Sequence, residues 1–137
     1  MQREPARVHE TGAWLRRSAQ DLRAAQHDQT AHPPLFEDVL FHCQQSVEKA
    51  FKAFLVWHDR PFRRTHSLEE IGQQCADVDP SLEQVVNGAV PLTAYAWKFR
   101  YPGDVEPPTQ EEAERALTLA HQTFEAVLAR IPPEAHP

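Results

Sequence analysis

Arg60, Arg63, Arg64 and His66 fall within seven residues of a chain whose formal charge is −6. Arginine grips a phosphate through two parallel N–H donors. Imidazole titrates near neutrality, so it can take the proton of a ribose 2′-hydroxyl or return one to a leaving oxygen. Paired, the two groups have the parts for metal-independent RNA cleavage. Without proton transfer they form an anion site for a nucleotide or a few RNA phosphates. Lys49 and Lys52 precede the cluster, and residues 49–66 hold five basic side chains against the single acid Asp59. The spacing Arg-x5-His is not selective in itself, since it occurs at Arg3/His9, Arg60/His66, Arg115/His121 and Arg130/His136. Only Arg60/His66 lies in a compact basic loop.

A second string, AYAWKFRYP over residues 94–102, places Arg100 among Trp97, Phe99 and Tyr101. Aromatic faces beside an arginine suit a stacked base and its phosphate. The candidates are therefore Arg60, His66 and Arg100 for catalysis, and Lys49, Lys52, Arg63, Arg64, His66, Arg100 and Tyr101 for a nucleotide or other anion. Each has a plainer structural role open to it. The basic side chains can pair with the acidic half of the chain, His66 can cap the helix that follows it, and Arg100 can satisfy helix-end carbonyls.

Other chemistries lack their signatures. There is no HExxH, CxxC, G-x-S-x-G or Gly-rich phosphate loop, and four glycines leave little scope for a phosphate cradle. Eight histidines invite a metal, but no pair has both the spacing and the acidic or thiol partner that a site needs, so no metal and no cofactor are expected. Cys43 and Cys75 are expected to be reduced and buried. No run approaches a membrane span, and the N-terminus has no apolar signal core, which predicts a cytoplasmic protein with no membrane association. Residues 1–68 carry ten Lys and Arg against eight Asp and Glu, and residues 69–137 four against twelve. That balance opposes non-specific coating of nucleic acid while leaving room for a local anion site.

Helical periodicity supplies the scaffold. Apolar residues at Phe36, Leu40, Cys43, Val47, Ala50 and Phe54 form one stripe, and Val39, Phe51 and Leu55 widen it. The surplus width predicts a dimer seam in addition to an internal core, and Phe41 lies off both rows. Around this helix the spacing predicts a first helix from about Thr11 to His27 and a short third helix capped by Ser67. A fourth opens at Asp79-Pro80, has its inner row running through Leu82, Ala89, Thr93 and Arg100, and is disturbed at Pro91. A fifth is capped by Thr109 and ended by Pro132-Pro133. Ser67/Glu70 and Thr109/Glu112 read as capping boxes. The expected fold is all-α, a five-helix up-and-down antiparallel bundle over residues 11–131, with 1–10 and 132–137 as flexible termini.

FHCQQSVEKAFKAFLV (41–56), THSLEEI (65–71), AYAWKFRYP (94–102) and T-x-E-E-A (109–113), in that order, resemble the HEPN family (higher eukaryote and prokaryote nucleotide-binding domain). The resemblance implies a helical bundle, commonly a homodimer. It also implies nucleotide binding or partnership with a minimal nucleotidyltransferase in a toxin–antitoxin-like pair. One branch of the family contains metal-independent endoribonucleases carrying Arg-x4-6-His on a late helix. Here positions 105–107, following Arg100, are Val, Glu and Pro, so that histidine is missing. The chain sits nearer the RYP-ending branch. The reading it supports is a non-catalytic nucleotide-binding or partner module, with an endoribonuclease as the alternative.

Overall fold

In the computed structural model, residues 3–103 and 105–137 are described, the side chains of Arg3 and Glu4 excepted; Met1 and Gln2 of the N-terminal segment lie outside. Among the described residues there are five α-helices and no strand: α1 (Arg3–Gln29), α2 (Phe36–Trp57), α3 (Leu68–Val78), α4 (Glu83–Ala89) and α5 (Gln110–Leu128). Short 3-10 turns precede α4, follow it and close the chain. No helix is long and apolar enough to cross a membrane.

α2 is the centre of the bundle, touching α1, α3, α5 and the 3-10 segment after α4. α1 and α2 run antiparallel, because successively earlier residues of α1 meet later ones of α2. Asp21 meets His42, Ser18 meets Ser46 and Arg7 lies over Trp57. The two serines exchange bonds with each other's carbonyls, at 2.7 and 2.9 Å, and hold the helices close. α5 is antiparallel to α1 by the same test. Gln26 bonds His121, while Gly12 lies under the carbonyl of Ala135, which a Cβ at Gly12 would meet at 3.3 Å. Leu15, Leu40, Phe51, Phe54, Leu55, Leu68, Ile71 and Leu82 are fully buried between the helices. Burial at about 25 cal/mol per Å² of apolar surface makes this core the main stabilising term.

Three features differ from the sequence reading. Apart from Phe36, which is half-buried, both apolar rows of α2 are consumed inside one chain: Val39, Leu40, Cys43, Val47, Ala50, Phe51, Phe54 and Leu55 are all 0% exposed. The width of the stripe therefore reflects three helical neighbours and supplies no separate dimer seam. α1 begins at Arg3 instead of near Thr11, with Val8 packed on the core, and the segment after Ile131 folds back as a 3-10 turn that buries Ala135. Finally, the helix at Pro91 does not resume. It becomes a 3-10 segment, Val90–Ala96, in which 120° per residue replaces 100°. The helical run ends at Ala96, which is still buried, and the turn residues after it leave Arg100 exposed.

Caps set the element boundaries. Ser67 Oγ accepts from Glu70 N at 3.2 Å and Thr109 Oγ1 from Glu112 N at 3.1 Å. Neither box closes reciprocally, because Glu70 turns to Arg63 and Glu112 to Tyr95. Asp79 caps the turn at Pro80 by accepting from Ser81 N at 3.0 Å. Cys43 and Cys75 are free and buried, and burial pushes the Cys43 thiol up to about 12.

Candidate functional site

The basic loop leaves α2 through a Schellman turn. Arg60 N donates to Leu55 O and Asp59 N to Val56 O, with Asp59 in the left-handed region at φ 55°. From there the loop is tied down repeatedly. Phe62 packs edge-on to Trp14, Gln74 donates to Pro61 O, and Arg63 makes a two-bond clamp on Glu70. His66 donates from Nδ1 to Glu48 Oε1 at 2.9 Å, and its carbonyl accepts from Gln44.

Glu48 is the hub of this arrangement. It is 4% exposed and accepts from Lys52 at 2.8 Å, from His66, and from Gln44 at 3.1 Å. Burial raises the pKa of this carboxyl, but the three donors more than offset it and hold the group below its ordinary value. Lys52, itself buried, lies between the rings of Trp14 and Phe62 at 5.4 and 5.6 Å. A turn earlier, Asp21 accepts from His42 at 2.9 Å and from Lys49 at 2.5 Å. Burial works against the Asp21 carboxylate, yet bonds from His42 and Lys49 keep its pKa lowered. The bond to Asp21 raises that of His42 against the opposing effect of burial.

Lys49, Lys52 and Arg63 are thus neutralised by Asp21, Glu48 and Glu70, and the run of positive charge seen in sequence is not an open basic patch. His66 keeps its ring largely in solvent, at 59% side-chain exposure, with Nδ1 committed to Glu48. Arg64 is exposed and makes no ion pair among the described residues. Arg60 borders a cavity of about 490 Å³ against the first turns of α1, shared with Arg7, Glu10, Val56 and Phe62.

Arg100 is elsewhere. With Glu37, Asp38, Phe41, Tyr95 and Phe99 it lines a second cavity of about 270 Å³ at the opposite end of α2. Its guanidinium lies 6.0 Å above the Phe41 ring. Tyr95 and Phe99 stack at 6.1 Å with 15° between planes, and Lys98 sits over both. Tyr95 donates to Glu112 Oε2 at 2.6 Å; burial first and this carboxylate second raise its pKa. Of the aromatics flanking Arg100 in sequence, only Phe99 enters the cavity, while Trp97 and Tyr101 are 53% and 78% exposed.

The sequence reading missed Phe41, Tyr95, Glu37 and Asp38 as site residues. Phe41 carried the available signal, since it fell off both apolar rows of α2. At 1.5 Å per residue, Phe41 and Val56 are roughly 22 Å apart along the helix, and Phe41 and Glu48 roughly 10 Å. Within one chain, Arg60, His66 and Arg100 therefore lie at three stations along α2.

A sequence model of the HEPN domain matches residues 11–131. The chain belongs to the HEPN family. Nothing matches it among the curated proteins or among the solved structures. The remaining Arg-x5-His matches in this HEPN chain do not make a second centre. His121 is bonded to Gln26, Arg130 holds Asp79 and Ser81, and His136 donates to the helix-end carbonyls of Leu128 and Ile131. Arg3/His9 involves a side chain outside those described. Among the described residues no three His, Cys, Asp or Glu side chains gather as a metal ion would need.

Proposed function

We propose that this HEPN protein is a non-catalytic nucleotide-binding and partner module. In this reading it acts in the cytoplasm as a homodimer beside a minimal nucleotidyltransferase, in a toxin–antitoxin-like pair. The observation that carries the non-catalytic part is the dispersal of Arg60, His66 and Arg100 along α2. General acid–base catalysis needs the imidazole within hydrogen-bond reach of the reacting oxygen while the guanidinium holds the same phosphate. Family membership supports the partner, and Leu35, Trp97, Tyr101 and Val105, all exposed, supply apolar surface for association.

The test is incubation of purified protein with labelled mixed-sequence RNA in EDTA, with His66→Ala as control. Intact RNA at high protein concentration is the expected result. One observation favours the endoribonuclease as a second reading: Glu48 fixes the His66 ring through Nδ1, an arrangement that orients an imidazole for proton transfer. Cleavage by the wild type that is lost in His66→Ala would establish that reading and overturn ours. Co-purification with a nucleotidyltransferase encoded beside it tests the partnership.

A further inference from the structure

We infer that the cavity at the N-terminal end of α2 binds a free ribonucleoside monophosphate. This rests on the nucleotide-binding reading above and moves the site from the basic loop to Phe41 and Arg100. Three kinds of side chain meet there, each suited to one part of such a ligand. Phe41 comes from α2, and the Tyr95/Phe99 stack from the segment after α4; together they offer flat apolar faces to a base. Arg100 is held above Phe41 by its ring alone and makes no ion pair among the described residues, so its donors are available to a phosphate. Glu37 and Asp38 likewise form no hydrogen bond or ion pair among the described residues. Unpaired carboxylates at the rim accept the vicinal hydroxyls of a ribose, as acidic residues do in dinucleotide sites.

Size and charge narrow the class. A cavity of about 270 Å³ is at the small end for a ligand pocket and suits one nucleoside unit, not a dinucleotide. The lining carries one arginine against two carboxylates, with Lys98 beside it over the Tyr95 and Phe99 rings, and that balance fits a ligand with few phosphates. Of the basic run, Lys49, Lys52 and Arg63 already have carboxylate partners, which leaves Arg60 and Arg64 as its cations outside the ion pairs.

The experiment is calorimetric titration of the full chain with AMP, dAMP, ATP and inorganic phosphate. It is repeated on Phe41→Leu, Arg100→Met and Asp38→Asn, whose urea midpoints are checked alongside. Phe41→Leu keeps apolar volume at the half-buried position but removes the flat face, so a loss there reports stacking and not collapse of the site. AMP is expected to bind, with ATP no tighter. dAMP, Phe41→Leu and Arg100→Met are each expected to bind or be bound about tenfold more weakly. AMP binding unchanged in all three variants would overturn this site while leaving nucleotide binding standing. ATP binding at least about tenfold tighter than AMP would overturn the single-phosphate assignment. No binding of any nucleotide would overturn the site and the nucleotide-binding reading together.

Discussion

Replacing Glu48 by leucine tests whether the charges of the α2–loop junction are structural. The substitution removes the acceptor of Lys52, His66 and Gln44 at once and leaves the buried Lys52 ammonium without a counter-ion. Breaking a buried pair from one side costs about 3–5 kcal/mol. Lys52 keeps the faces of Trp14 and Phe62, worth about 1 kcal/mol, and the largely exposed His66 adds little. The loss should therefore lie near the lower end, about 3 kcal/mol. With a urea slope of about 1.5 kcal/mol/M, the midpoint falls by about 2 M. The double variant Glu48→Leu/Lys52→Met removes both charges and should recover most of that loss, because a hydrophobic pair of similar volume often matches a buried ion pair. A single variant within about 1 kcal/mol of wild type, or a double variant no better than the single, would refute the argument.

The same pair predicts a pH dependence whose sign follows from the lowered pKa of Glu48. The stability it contributes is fully present above the ordinary glutamate value of 4.5. It is lost as the pH falls further, through the lower folded value. Urea midpoints taken from pH 7 downward should fall more steeply below that point in wild type than in the double variant.

Three further outcomes are expected. Gly72→Ala should destabilise by about 1–2 kcal/mol in urea, because a Cβ there meets Val86 Cγ1 at 2.7 Å and Phe51 Cε2 at 3.2 Å; overpacking outweighs the helical preference for alanine. A gain in stability would show that α3 is free to shift. Phe54→Ala should cost about 3–5 kcal/mol, the ring being fully buried, and a cost below about 1 kcal/mol would contradict the assigned inner face of α2. His42 has a raised pKa, so its bond to Asp21 contributes fully below the ordinary value of 6.5 and is lost as the pH rises through the folded value. Lys49 also donates to Asp21, and Asp28 and Asp38 act on the ring. Asp21→Asn should flatten the decline in urea midpoint between pH 6 and 9, and an unaltered slope would remove His42 as its source.

The scaffold was legible because its signals are local. Ser67, Thr109 and Asp79 cap where their types predict, and Pro91 ends regular α-helix where its missing N–H predicts. The stripe of α2 named nearly every core residue it contributes. The site was less legible because its decisive facts are pairings between helices. Lys52 with Glu48 is an i,i+4 pair and could be read, but Asp21 lies 28 residues from Lys49 and 21 from His42. Nothing in one helix's periodicity shows which acid a distant lysine will meet. Arg100 was misplaced for a different reason: the inner row was extrapolated past Ala96, where helical structure ends.

These pairings explain why the richest run of positive charge is a weak place to seek a ligand. Three of its cations are already paired: Lys49 ties α2 to α1 through Asp21, Lys52 pairs with Glu48 within α2, and Arg63 holds the loop to α3 through Glu70. An anion would have to displace those carboxylates, and in the buried Lys52–Glu48 pair that means leaving a carboxylate uncompensated. Arg100 makes no ion pair among the described residues: its guanidinium rests on the ring of Phe41, with Glu37 and Asp38 in the same lining. A cation resting on an aromatic face can turn to a phosphate while the ring remains to stack on a base. No ion pair among the described residues has to break for Arg100 to turn to an anion, even though the lining of its cavity carries more negative charge than positive. That imbalance restricts the ligand to one with few phosphates and hydroxyls to share, which is how the cavity would tell a nucleoside monophosphate from a triphosphate.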